Sequence, residues 1–211
     1  MLFRSSPVIA RVDEDELPGG ITDNDVITTV ATGNVGELVV GSSAGVQFSL
    51  SGNTVGLQPA SSDDVGLVYS VSNNTLTAKA GAAGPTIFTL QVQTSGDYTF
   101  TLSGPLDHPA AGRDDNALLA MNFASLLKAS DGVSPVALLG DFLVFIENDV
   151  PTVSAGSPVA DSLQVDETTL ATNVSASFAS LFSANYGADG PGTATRSEER
   201  RVGKECRCRW W

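Results

Sequence analysis

The sequence predicts an all-β chain: an antiparallel β-sandwich with the start of a second one behind it. Three observations predict it. Short runs rich in β-branched residues alternate with clusters of Gly, Ser, Asn and Asp, the types that strands and turns respectively favour. One hairpin is explicit: residues 87–93 and 98–102 flank Thr94-Ser95-Gly96-Asp97. A six-position pattern also recurs. Val12-Asp13-Glu14 with Leu17 returns as Val165-Asp166-Glu167 with Leu170, an offset of 153 residues from Val12 to Val165. Ser6-Pro7-Val8 precedes the first copy and Ser157-Pro158-Val159 the second, with two extra residues in the second approach. Self-similarity at one domain length is the mark of a tandem array, whose units are structural or binding modules.

Residues 1–11 read as a linker, and residues 12–153 as one complete repeat. From Gly36 the pattern is β, with strands predicted at 37–40, 46–50, 66–71 and 75–78. In the hairpin's second arm Tyr98, Phe100 and Leu102 fall on one face, and Thr99 and Thr101 on the other. Pro105 and Pro109 make residues 104–112 a loop. Residues 117–129 carry Leu118, Leu119, Met121, Phe123, Leu126 and Leu127, which suit a helix by propensity. In an otherwise all-β unit they are assigned to strand. Residues 136–139 and 142–146 complete the set, and Pro151 marks the boundary. Roughly eight to ten short strands with regular turn signals make a β-sandwich. Residues 154–195 begin a truncated second repeat, expected to be poorly ordered in isolation.

Residues 196–211 stand apart. They hold both cysteines, both tryptophans and six of the eleven basic residues. The stretch RSEERRVGKEC resembles the in-frame translation of a sequencing adapter and is set aside as a non-native tail. The alternative is a basic tail that binds a partner. Without residues 196–211, five basic residues face 21 acidic ones, a net charge of −16. That balance disfavours nucleic acid, whose phosphates need a Lys/Arg patch, and anionic membrane surfaces alike. It suits a self-repelling chain or one that binds cations. No apolar run approaches the ~20 residues of a membrane-spanning helix. Residues 1–10 lack the apolar core of a signal peptide, so any export signal is expected outside this sequence.

Four phrases carry a family resemblance: VDEDELPGG (12–20), GDYTFTLSGPLDHP (96–109), FLVFIENDVPTV (142–153) and YGADGPG (186–192) in the second copy. In this order they resemble the long tandem repeats of giant RTX-type adhesins, which bacteria export by type I secretion. The resemblance implies Ig-like or cadherin-like sandwich repeats in an extracellular, cell-surface, biofilm-associated protein. It also implies calcium. Relatives often carry an Asp-rich stretch before the last strands, where this chain reads Asp131-Gly132-Val133-Ser134 with fewer acidic ligands.

Asp13-Glu14-Asp15-Glu16 is the densest run of charge. On an extended strand Asp13 and Asp15 share one side, and Glu14 and Glu16 the other. Ca²⁺ takes about six to eight oxygen ligands, so carboxylates on one face form a partial cage. The repeat junction offers a similar set: Glu147, Asn148 and Asp149 end one unit, and Asp166 and Glu167 begin the next. The Asn-Asp-x-Pro order resembles the calcium-binding linkers of cadherin-like domains. The competing reading is a solvated acidic strand end that blocks edge-to-edge pairing. Gly187-Ala188-Asp189-Gly190 reads as a turn, and so do Asp63-Asp64 and Asp114-Asp115. His108, the one histidine, reads as a surface-loop residue, because zinc would need about three or four ligands and no second His is present.

The expected function is non-enzymatic: an extender repeat of a secreted or surface adhesin, stiffened by calcium at repeat junctions. Its partners are neighbouring repeats of the same chain and a host-surface or matrix ligand. The alternative is a glycan- or protein-binding sandwich module. An enzyme would need a pocket with convergent titratable groups, to which nothing in the sequence points.

Overall fold

The computed structural model describes residues 6–39, 45–108, 118–155, 168 and 182–191. Strands β1 (Val8–Asp13), β2 (Val30–Asn34), β3 (Gln47–Leu50), β4 (Ser61–Ser62), β5 (Val65–Ser72), β6 (Thr75–Ala80), β7 (Thr86–Val92) and β8 (Asp97–Leu102) come first. They are followed by β9 (Leu118–Asn122), β10 (Leu127–Ser130), β11 (Pro135–Val136), β12 (Phe142–Glu147), β13 (Thr152–Ala155) and β14 (Phe182–Asn185). The fold is all-β, as the alternation of strand and turn chemistry requires. No helix among the described residues is long and apolar enough to cross a membrane.

One layer is a six-stranded sheet in the order β2-β8-β7-β6-β5-β4. Facing it are a sheet β1-β12-β9 and a sheet β11-β10-β3. All pairings within these sheets are antiparallel except β1 with β12, which run parallel from Val8↔Phe142 to Asp13↔Glu147. Aromatic rings join the layers. Phe88 stacks on Phe100 at 5.1 Å, both meet Phe123, and Tyr98 lies 4.7 Å from Phe142. Five phenylalanines, Phe48, Phe88, Phe100, Phe123 and Phe142, are fully buried there. Rings of this size dominate the burial that stabilises a core. Tyr98, Phe100 and Leu102 all point inward, so the face read from the hairpin is the core face.

Several details differ from the sequence reading. The linker assigned to residues 1–11 contributes residues 8–11 to β1, whose Val8, Ala10 and Val12 are buried. Its short alternation is that of a half-buried strand. Of the strand expected at 37–40, residues 37 and 38 instead close a 3-10 turn, Val35–Leu38, opened by the Asn34 side chain accepting the Gly36 N–H. Val39 makes a single antiparallel bridge to Leu138, and residue 40 lies outside the described residues. Val35 and Leu38, three apart, both reach the core on such a turn. β2 went unread because its residues are mostly exposed and show no apolar alternation. Across 118–130 strand wins over helix: β9 alternates buried and half-buried positions, a short 3-10 turn (Ala124–Leu126) follows, and β10 resumes. Asp63-Asp64 and Asn73-Asn74 all take positive φ between paired strands, the two-residue hairpin turn that Asp and Asn tolerate. Beyond the sandwich, β13 pairs with β14 from Thr152↔Asn185 to Ala155↔Phe182 as a small two-stranded ribbon, and most of residues 154–195 lie outside the described residues.

Candidate metal centre

The parallel β1–β12 pair ends in two carboxylates, Asp13 opposite Glu147. Beyond Asp13 the chain coils. The Asp15 N–H bonds the Asp13 carboxylate at 3.0 Å, the Leu17 N–H the Glu14 carbonyl, and the Gly20 N–H the Leu17 carbonyl. The following loop is braced by Asp side chains: the Asp25 N–H donates to Asp23 Oδ1, and the Ile27 N–H to Asp25 Oδ1, each at 2.7 Å. It returns alongside the strand end, where the Asp13 N–H meets the Thr28 carbonyl at 3.2 Å.

The loop thereby brings Asp23 and Asp25 to Asp13. Carboxylate oxygens of Asp13, Asp25 and Glu147 lie within 4.8 Å of one another, and so do those of Asp13, Asp15 and Asp23. Asp13 is common to both groups. Asp13, Asp15 and Glu147 are buried, while Asp23 and Asp25 face solvent. The one cation among the described residues paired here is Arg11, whose Nη1 donates to Glu147 Oε1 at 3.0 Å.

This crowding has an electrostatic signature. Burial, reinforced by the charges of Asp25, Glu147 and Asp23, pushes the Asp13 carboxyl up to about 6, against the opposing hydrogen bond from Asp15. Burial also raises Glu147; Arg11 opposes it, and Asp25 and Asp23 add to it. Such a set holds its charge poorly alone and favours a cation among its oxygens. The donors are all hard carboxylate oxygens, of the kind that hard divalent cations such as Ca²⁺ take, arranged as two groups of three that share Asp13.

The expected site residues therefore divide. Asp13, Asp15 and Glu147 come together. Glu14 points to the other side of the strand end, as alternation requires. There its fully buried carboxylate accepts the Leu106 N–H at 2.8 Å and lies 3.4 Å from His108 Nε2. Burial raises the Glu14 pKa, opposed by His108 and by the Leu106 and Asp149 N–H groups. His108 is a correction to the surface-loop reading, for its side chain is only 4% exposed. Asp149 also lies on this second side, with its carboxylate accepting N–H groups from Ile21 and Ala188. Asp189 stands near it. Burial, with Glu14, Asp63 and Asp149, lifts its carboxyl to about 6, and His108 opposes the rise. Asn148 is half-buried. Asp166 and Glu167 lie outside the described residues, as do Asp114-Asp115 and residues 196–211.

Asp23 and Asp25 were missed by sequence reasoning. Their signal was the Asp-x-Asp spacing inside a turn-rich loop, and only the loop's return beside β1 makes it meaningful. A surface groove beside β10 and β11 is lined by Ser49, Leu127, Lys128, Val136 and neighbours, with Lys128 its one ionisable lining residue. No protein-family model, curated protein or solved structure matches the chain.

Proposed function

We propose that this chain is a non-enzymatic structural unit of a tandem-repeat adhesin displayed outside a bacterial cell, and that calcium stiffens the pole where one unit passes into the next. One observation carries the reading. Five carboxylates, Asp13, Asp15, Asp23, Asp25 and Glu147, crowd the strand ends in two groups that share Asp13, and from the end of β12 at Glu147 the chain goes on through Asp149 to Pro151, where the sequence places the boundary. A cation bound there would tie the opening loop of the unit to its last strand. Because those oxygens converge only in the folded chain, binding would add to folding stability.

Among the described residues the exposed large apolar side chains of 6–155 are all aliphatic, and the exposed aromatics are Phe182 and Tyr186, outside the first sandwich, so its two sheets offer a sugar ring no exposed aromatic platform. That supports a spacer over a glycan-binding module.

The test is thermal unfolding in EDTA, in millimolar Ca²⁺ and in millimolar Mg²⁺. Calcium at a hundred times its Kd adds about 2.7 kcal/mol, a rise in Tm of roughly 5–10 °C for a chain of this size. Mg²⁺ should do much less, and Asp25→Asn should remove most of the calcium shift. Equal Tm values in EDTA and Ca²⁺ would sink the calcium reading and leave a plain spacer.

A further inference from the structure

The internal repeat extends from sequence into structure. Asn34-Val35-Gly36 and Asn185-Tyr186-Gly187 each follow a strand, and from Asn34 to Asn185 is 151 residues, the same offset as between the two Ser-Pro-Val copies. Both are closed by the same two hydrogen bonds. The Gly36 N–H donates to Asn34 Oδ1, and the Gly187 N–H to Asn185 Oδ1. Three residues on, the Val39 N–H reaches the Gly36 carbonyl at 3.1 Å, and the Gly190 N–H the Gly187 carbonyl at 3.2 Å.

The second turn is docked on the first unit. Ala188 packs its methyl against the buried core of the first sandwich. Its N–H donates to the Asp149 carboxylate, which is buried and also held by the Ile21 N–H. Gly187 has φ of +70°, and a Cβ there would overlap the Asp149 carboxylate. On its other side the Gly187 carbonyl sits 3.6 Å from where a Cβ on Gly19 would lie. The receptor is thus built from two distant segments of the first unit, the loop after β1 and the end of β12. The inserted group comes from the second.

We infer that the turn at residues 185–190 is the plug that fastens a following unit to the unit before it, with Asp149 as its receptor. The inference rests on the tandem-array reading, and the partner it names is the next unit of the same chain. In the first unit the corresponding residues Gly36 and Glu37 are half-buried and exposed, while Val35 and Leu38 beside them are buried in that unit's own core. The joint uses a carboxylate already satisfied by backbone N–H groups, so it needs no metal.

The test follows the Ala188 amide by NMR in the ¹⁵N-labelled full chain, in EDTA. Docking predicts hydrogen exchange slowed at least about tenfold relative to Gly187→Ala. That variant blocks the plug and leaves the receptor and the sandwich intact, so core amides of β7 and β8 keep their shifts. Asp149→Asn, which retains one acceptor oxygen, should give intermediate protection. An Ala188 amide that exchanges as fast in the wild type as in Gly187→Ala overturns the joint. The array reading is judged separately, by counting copies of the Val-Asp-Glu pattern in the complete open reading frame. The joint can therefore fail while the array stands, and the reverse.

Discussion

Asp13 is where strand geometry turns into electrostatics. Its backbone ends β1, and its carboxylate is shared by both acidic groups. With its carboxyl raised to about 6 from an ordinary 3.8, the folded chain holds that proton more tightly than the unfolded chain. Between those two values the folded state binds more protons, so stability in EDTA should rise as pH falls from about 6 toward 4. Glu14, Glu147 and Asp189 are raised as well and act in the same direction. Unfolding at pH 7.5 and pH 5 checks this: in EDTA the higher Tm is expected at pH 5, and in millimolar Ca²⁺ the order should reverse, because protons and calcium compete for the same oxygens. Asp13→Asn should raise Tm in EDTA at pH 7.5 and abolish the response to calcium. Loss of stability in that variant would mean that the Asp13 charge is satisfied within the protein. The side chains of Asp13 and Glu14 were separable in the sequence, because neighbours on a strand point to opposite sides. The partners waiting on each side were not.

The β2–β8 pair shows the same limit at the level of an element. Tyr98 was legible as a core residue from the alternation of its strand. Its cross-strand neighbour Gly33 was not legible, because β2 carries no apolar pattern. A Cβ at Gly33 would stand 2.6–2.8 Å from the Tyr98 ring, which is buried and lies against Phe142. The ring thus occupies the space over the glycine. Gly33→Ala should cost about 1–3 kcal/mol, since a displaced ring has only a close-packed core to move into. A urea midpoint unchanged by the substitution would show that the ring has room. β1 makes a related point. Its parallel partner β12 lies over a hundred residues away, and so short a strand at the start of a chain is easily taken for linker.

Across the whole molecule, acidic residues outnumber basic ones 24 to 11. Part of the excess gathers around the end of β1, about Asp13 on one side and about Glu14, Asp149 and Asp189 on the other. The first side holds the two overlapping carboxylate groups, and on the second the Asp149 carboxylate accepts the Ala188 N–H. Like-charge repulsion at the first side should be screened by salt. In EDTA, raising NaCl from about 0.02 to 0.5 M should therefore raise Tm by a few degrees. In Ca²⁺ the same change should have little effect. A salt response of equal size in both conditions would place the repulsion elsewhere on the surface.

The sequence by itself determined the all-β class, the hairpin of β7 and β8, most of the core face and the internal repeat. Each of these depends on residues close together in the chain or on direct self-similarity: period-two burial, turn residues with tolerated positive φ, and matched motifs. The tertiary structure alone decided the rest. It split the acidic run between two sides, brought Asp23 and Asp25 back beside Asp13, buried His108 against Glu14, and set Ala188 on Asp149. These are long-range placements, made by loops returning to a packed sandwich. Local propensity cannot specify them, because the energy that selects them comes from burying distant groups together.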